Sequence, residues 1–250
     1  MSALHAAAIF GAGIAAGTIN TVVGSGTLIT FPVLLAFGYP PVTANVSNTV
    51  GLVPGSVAGA IGYRQELKGQ QHRVRILGLA SVIGGIAGAV LLLTLPASAF
   101  KAIVPAFIAL ALGLIVAQPS IDRRLRSRRE GRHREQTGPI AMGAVLASGT
   151  YGGYFGAAQG ILLLAILGLS LDDELQRINA LKVVLAGLVN LVAGVVFVIA
   201  AHVSWLPALE IAVGSTIGGT LGARVGRQLP PWALRAVIVV VGITAIIRLL

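Results

Sequence analysis

Gly24, Ser25, Gly26 and Thr27 follow one another inside an otherwise almost wholly apolar stretch, and Gly156 and Gln159 stand in a similar setting later in the chain. Glycine permits tight turns, and a helix that begins at such a turn leaves its first N–H groups unpaired and its positive dipole end bare. The chemistry on offer is anion binding. Amides and hydroxyls nearby extend it, because a polar group in hydrocarbon costs free energy unless it finds a partner or lines a wet cavity. Asn20, Thr21 and Thr30 flank the first turn; Thr150, Tyr151 and Tyr154 flank the second. Asn45, Asn48 and Thr49 fall at spacings of three and four, so they share a helix face. Asn179 and Lys182 open the comparable segment of the second half, with Asn190 deeper. Lys182 either joins the anion site or snorkels to the interface. For any single glycine, close helix packing is the simpler alternative.

Other chemistries find little support. Asp172, Asp173 and Glu174 sit together in a connecting loop, solvated or capping the helix that follows. Only Glu210 lies within an apolar segment, where it either carries a coupling proton or sits at the interface. The four histidines, His5, His72, His133 and His202, lie at termini or loops, so no metal site is expected. The chain has no cysteine, which removes disulfides and thiolate centres. Gly11, Gly13 and Ala16 imitate a dinucleotide-binding turn, but no strand precedes them and no acidic residue occurs before Glu66. No cofactor is expected. Neither a His-Glu-x-x-His nor a Gly-x-Ser-x-Gly pattern is present, so no catalytic residue is assigned and an enzyme is not expected.

The elements that must position these residues are membrane helices. Of 250 residues 56% are hydrophobic and only 10% charged, with mean hydropathy +0.90, too few charges to cover a soluble surface. Residues 1–63 hold no Lys, Arg, Asp or Glu, and uncharged runs recur at 76–100, 102–121, 136–171 and 183–209. Each approaches or exceeds the ~20 residues that cross a bilayer as a helix. The start lacks the basic region of a cleaved signal peptide and reads as an uncleaved membrane segment. Pro, Gly and charges divide the chain into ten segments: 3–23, 26–37, 44–63, 74–94 and 99–118, then 139–157, 159–169, 178–201, 205–224 and 232–250. The second of each five is too short to span. Net charge is +10, but seven basic residues, Arg123, Arg124, Arg126, Arg128, Arg129, Arg132 and Arg134, lie in one loop between the apolar halves. The positive-inside rule accounts for them without nucleic acid. The expected division is a first transmembrane repeat at 1–120, a basic cytoplasmic linker at 121–138 and a second repeat at 139–250.

The repeat is visible residue by residue. Gly17, Thr18, Gly24, Ile29, Gly55 and Gly62 recur as Gly149, Thr150, Gly156, Ile161, Gly187 and Gly194. Ser81-Val-Ile-Gly-Gly-Ile-Ala-Gly-Ala89 matches Ser215-Thr-Ile-Gly-Gly-Thr-Leu-Gly-Ala223, and Leu95-Pro96 returns as Leu229-Pro230. Basic residues follow the third segment in half one (Arg64, Lys68, Arg73, Arg75) but the fourth in half two (Arg224, Arg227). Opposite bias at equivalent loops is what inverted modules produce. The expected fold is therefore all-α, two inverted repeats of five segments with both termini external. Four plus four parallel crossings is the alternative.

Taken in order, Gly17, Gly24-Ser-Gly26, Pro32, Gly38, Pro40-Pro41, Ala44, Gly59, Gly62-Tyr63 and the doubled Gly-Gly-x2-Gly-Ala blocks resemble the TauE/SafE sulfite exporter family over nearly the whole chain. The chain departs from the family in Gly24-Ser25-Gly26, where relatives commonly run more glycines, and in Gly156-Ala-Ala158. The resemblance implies a multi-pass carrier of the bacterial inner membrane that exports sulfite, sulfonates or related sulfur-containing anions, coupled to a proton gradient. The expected partners are a small anionic substrate and the lipid bilayer; a homo-oligomer stays open. An anion channel and a non-transporting membrane subunit or enzyme are the competing functions.

Overall fold

A computed structural model describes residues 3–128 and 138–225 together with Val240 and Ile243. The described residues form helices joined by short turns, with no strand among them. In hydrocarbon each segment has to bond its own backbone N–H and C=O groups, and long apolar stretches do so as helices. They are α1 (Ala3–Val22), α2 (Thr27–Ala36), α3 (Pro41–Gly62), α4 (Gln71–Thr94) and α5 (Ala97–Arg128) in the first half. The second half has α6 (Pro139–Tyr154), α7 (Gln159–Ser170), α8 (Leu175–Ala200) and α9 (Trp205–Val225). Among the described residues four stretches, Ala3–Val22, Gln71–Thr94, Ala97–Ala117 and Leu175–Ala200, are long and apolar enough to cross a membrane. The 10 residues of α2 and 12 of α7 are not; at 1.5 Å per residue they reach only about 15–18 Å.

Nine of the ten expected segments are thus helices, eight of them within a few residues of their expected bounds at both ends. The tenth, 232–250, lies outside the described residues apart from Val240 and Ile243. Helix α5 continues to Arg128, so the first part of the expected linker is helical. Leu, Arg and Ser all tolerate a helix, and no glycine or proline follows Pro119 there. Residues 129–137 of that linker lie outside the description.

Packing follows the small residues. Helices α1 and α9 lie side by side and run the same way: Gly13 faces Ile211 and Gly214, and Gly222 faces Thr18 and Thr21. A methyl group at Gly17 would stand 2.7 Å from Ser215 Cα, so the two backbones touch. Helices α4 and α6 repeat this crossing: Gly84 meets Leu146, Gly149 and Thr150, Gly88 meets Thr150 and Tyr154, and Gly149 meets Ser81. The first helix of each half therefore packs on the fourth helix of the other. Lipid tails supply no hydrophobic drive between helices, so such contacts depend on close van der Waals approach, which only small residues allow. Between these two crossings α3 and α8 pass in opposite directions, with Gly187 against Ser56 and Gly194 against Val50 and Val53.

One end of the bundle is tied by charge. Asp173, in the turn between α7 and α8, accepts from Arg73 at 2.5 Å and from Arg177 at 2.8 Å. Arg177 also donates to Lys68 O at 3.1 Å, and Gln70 Nε2 donates to Arg177 O at 3.0 Å. Burial pushes the Asp173 carboxyl up, but the Arg73 hydrogen bond, the Glu174 N–H and the pull of both guanidiniums outweigh it and hold it below its usual range. At the opposite end the two halves meet through a neutral bond, Ser204 N to Ser47 Oγ at 2.9 Å.

Candidate functional site

Each half breaks its first helix in the same way. In α1 the N–H groups of Val23 and Gly24 both return to Ile19 O, at 2.7 and 2.9 Å, and Gly24 takes φ +87°. After α6 the N–H groups of Phe155 and Gly156 both return to Tyr151 O, at 2.9 and 3.1 Å, and Gly156 takes φ +75°. The glycines aligned by the sequence repeat are thus the two left-handed turns, a conformation that costs other L-residues about 1–2 kcal/mol. The chain then doubles back. A methyl group at Gly26 would lie 2.6 Å from Ala16 O, and the rings of His5 and Phe37 stand 4.4 Å apart, so α2 returns along α1 towards its start.

The two breaks meet. Gly160 N donates to Gly24 O at 3.0 Å, and a side chain on either glycine would collide with the backbone of the other. One of the first N–H groups of α7 is therefore used by the opposite break. The N–H groups of Ser25, Gly26 and Thr27 have no backbone acceptor among the described residues, and neither do those of Ala157 and Ala158. Ala158 itself sits at φ 59°, a left-handed residue without glycine's freedom.

The polar side chains divide by what they already hold. Asn48 is bonded through both ends of its amide: its Oδ1 accepts from Thr30 Oγ1 and its Nδ2 donates to Thr27 Oγ1 at 3.2 Å, which fastens α2 to α3. Thr49 donates back to Asn45 O in its own helix, at 2.9 Å. Asn45 donates to Tyr154 O at 3.0 Å, bridging α3 to the end of α6, while its Oδ1 is buried without a partner. Ser25 Oγ and Gln159 Nε2 are likewise buried and unpartnered, and the Gln159 amide lies against Gly152. Asn20 is half-buried, its Cβ 3.0 Å from where a Gly26 side chain would begin.

Lys182 does not snorkel. It is 1% exposed, and its Nζ donates to Thr21 O at 3.3 Å and Val22 O at 3.4 Å, the last carbonyls of α1 before the break. A cation there answers the negative end of the helix dipole. No ion pair joins Lys182 to a carboxylate among the described residues. Two expected residues stand apart from this cluster. Asn179 is buried in the first turns of α8 with no polar contact to the breaks. Glu210 lies beside Ile211, which packs on Gly13 of α1, about 15 Å along the helix axis from the turn at Gly24.

An aromatic collar closes around the breaks, of which sequence reasoning named only Tyr151 and Tyr154. Phe31 of α2 meets Phe155 edge-on at 5.1 Å, Phe100 and Phe107 of α5 pack on Tyr154 at 5.8 and 5.9 Å, and Tyr151 OH donates to Ala157 O at 2.5 Å. Nothing distinguishes Phe100 or Phe107 from other apolar residues of a membrane segment; only the folded position of α5 brings them here.

The comparisons extend this picture to the family. The profile described as Sulfite exporter TauE/SafE matches residues 9–249. The chain is 25% identical over 254 residues to the probable membrane transporter protein YfcA of Escherichia coli K12, covering 100% of this chain and 91% of the relative. A probable membrane transporter protein of Haemophilus influenzae is 24% identical over 94% of this chain and 90% of its own. The probable membrane transporter protein ORF9 of a Sinorhizobium species is 28% identical over 97% and 91%. No solved structure matches. Because the family match runs through both halves and both breaks, it speaks for the whole chain: the protein belongs to the sulfite exporter TauE/SafE family and is a multi-pass membrane transporter rather than an enzyme.

Proposed function

We propose that the chain is a secondary transporter that exports small sulfur-containing oxyanions, sulfite or sulfonates, held where the two helix breaks meet. The observation that carries this reading is the contact between Gly24 and Gly160, with Ser25 Oγ and Gln159 Nε2 buried and unpartnered beside it. Anion oxygens are the acceptors such donors lack, together with the unused N–H groups of Ser25, Gly26 and Thr27. Lys182, buried with only carbonyl oxygens for company, supplies positive charge next to the first break. A buried cation without a carboxylate favours an anionic visitor over a cationic one. In this assignment Ser25, Gly26, Thr27 and Gln159 touch the anion, Asn20 borders it, and Gly24 and Gly156 shape the turns. Asn48 and Thr49 position α2 and α3 around it, and Asn179 contributes least.

The two halves are assigned as inverted repeats. The support is the opposite course of α3 and α8, which the sequence repeat makes equivalent, and the exchanged crossings α1 with α9 and α6 with α4. Rocking one half against the other about the fixed breaks then exposes the anion alternately to each side. The test is flux in proteoliposomes loaded with labelled sulfite, thiosulfate or ethanesulfonate, with and without a pH gradient. Saturable efflux with counter-flow is expected. Movement of cations without any sulfur oxyanion would reject the substrate; unsaturable flux without counter-flow would make the protein a channel.

A further inference from the structure

We infer that the site prefers oxyanions that carry a hydrogen-bond donor of their own, and that Asn45 Oδ1 reads that donor; this rests on the anion reading above. The Gln159 amide nitrogen and the backbone N–H groups at the breaks are donors and the Ser25 hydroxyl can act as one, and they suit the bare oxygens of any sulfonate. Asn45 is the exception. Its Nδ2 donates to Tyr154 O at 3.0 Å, and a carbonyl oxygen can only accept. The amide is therefore fixed in one sense and cannot flip to present its nitrogen. Beside the second hydrogen on Nδ2, what remains is Oδ1, a pure acceptor that has no partner, on a residue that is 0% exposed.

Bonds and contacts place Asn45 in the same cluster as the donors. Ser25 follows Gly24, Gly24 accepts from Gly160, Gln159 precedes Gly160 and lies against Gly152, and Tyr154 two residues on accepts from Asn45. A bare sulfonate oxygen facing Asn45 Oδ1 would set acceptor against acceptor and leave the amide oxygen desolvated. A ligand with an S–O–H, a hydroxyl or an ammonium group satisfies it. The Tyr154 hydroxyl is also unpartnered, but a hydroxyl can rotate to donate or accept and so does not discriminate. Sites built to bond a ligand's donor reject the analogue that lacks it far better than apolar pockets reject an extra methylene.

The experiment is equilibrium binding of three matched ligands to the purified full-length protein in nanodiscs: ethanesulfonate, 2-hydroxyethanesulfonate, and 2-methoxyethanesulfonate, which accepts but cannot donate. The hydroxyl ligand is expected to bind about tenfold more tightly than the other two, the effect of one satisfied buried bond. In Asn45→Ala that preference should vanish while ethanesulfonate binding persists; in Ser25→Ala all three should weaken by a common factor. Should Asn45→Ala fail to fold, the wild-type ratio and the methoxy ligand decide alone. Equal binding of all three by the wild type would overturn the inference and leave anion binding standing. Absence of binding by any of the three sulfonates would overturn the inference, and absence of sulfite binding as well would overturn the anion reading with it.

Discussion

At Lys182 an amine is buried against the end of a helix with two backbone carbonyls as its acceptors, and those neighbours make its purpose testable. Taking an ammonium out of water costs several kcal/mol, which two backbone carbonyls recover only in part. Lys182→Met should therefore leave thermal stability unchanged or raised while sulfite efflux from proteoliposomes falls at least about tenfold, the loss of one charge-assisted contact. A stability loss with flux intact would make Lys182 a cap for α1 and nothing more. Gly24 gives a second contrast. A side chain there would sit in the left-handed region and strike Gly160, so Gly24→Ala should cost about 2–5 kcal/mol. Gly11, with nothing within 4 Å, should tolerate the same change within about 1 kcal/mol. Unfolding curves of the two variants in detergent check the pair. The special status of Gly24 was readable from its place in the repeat. The immobilised amide of Asn45 and the carbonyl partners of Lys182 were not, because both depend on residues more than a hundred positions away.

At the scale of elements, the short helices work because their neighbours hold them. Helix α2 is fastened to α3 through Asn48, Thr27 and Thr30, and the turn after α7 is fastened to α4 through Asp173 and Arg73. Half one has no charge to match this ion pair at the equivalent end, where Ser204 and Ser47 meet instead. Because the folded Asp173 carboxyl lies below its ordinary 3.8, its contribution is fully present above that value and is lost as pH falls through the lower folded one. The melting temperature should accordingly drop below about pH 4 in the wild type, and Asp173→Asn should remove that component of the acid loss. At neutral pH the same variant should cost about 1–3 kcal/mol, between the values of exposed and buried pairs. Sequence reading made Asp173 a solvated or capping residue of its loop. Arg177 and the Glu174 N–H are local partners, but Arg73 comes from the far half, which local spacing cannot reveal.

For the whole molecule, the proposed inverted halves make a statement about sides. With an odd number of segments in each half and the basic linker inside, both termini face outward. A reporter fused to the C-terminus that is active only outside the cytoplasm should therefore register; a cytoplasmic signal would discard the arrangement in favour of parallel crossings. Of the residues that show the repeat, Gly17, Gly218 and Gly222 are also contact points of one exchanged crossing, and Gly149, Gly84 and Gly88 of the other. Their identity was legible because a backbone contact in lipid leaves room for little except glycine. The chain by itself determined that the protein is a bundle of membrane helices, where most of the described ones begin and end, that two of them are too short to span, and which family it joins. Those properties follow from local composition and spacing, since a bilayer demands apolar length and internal hydrogen bonding whatever the neighbours are. Only the tertiary structure decided that the breaks touch at Gly24 and Gly160, that Asn48 anchors while Asn45 keeps a free oxygen, and that Glu210 stands away from the site. The reason is that hydrogen-bond partnership is a property of pairs, and each of these pairs joins segments that only the folded bundle brings within 3 to 4 Å.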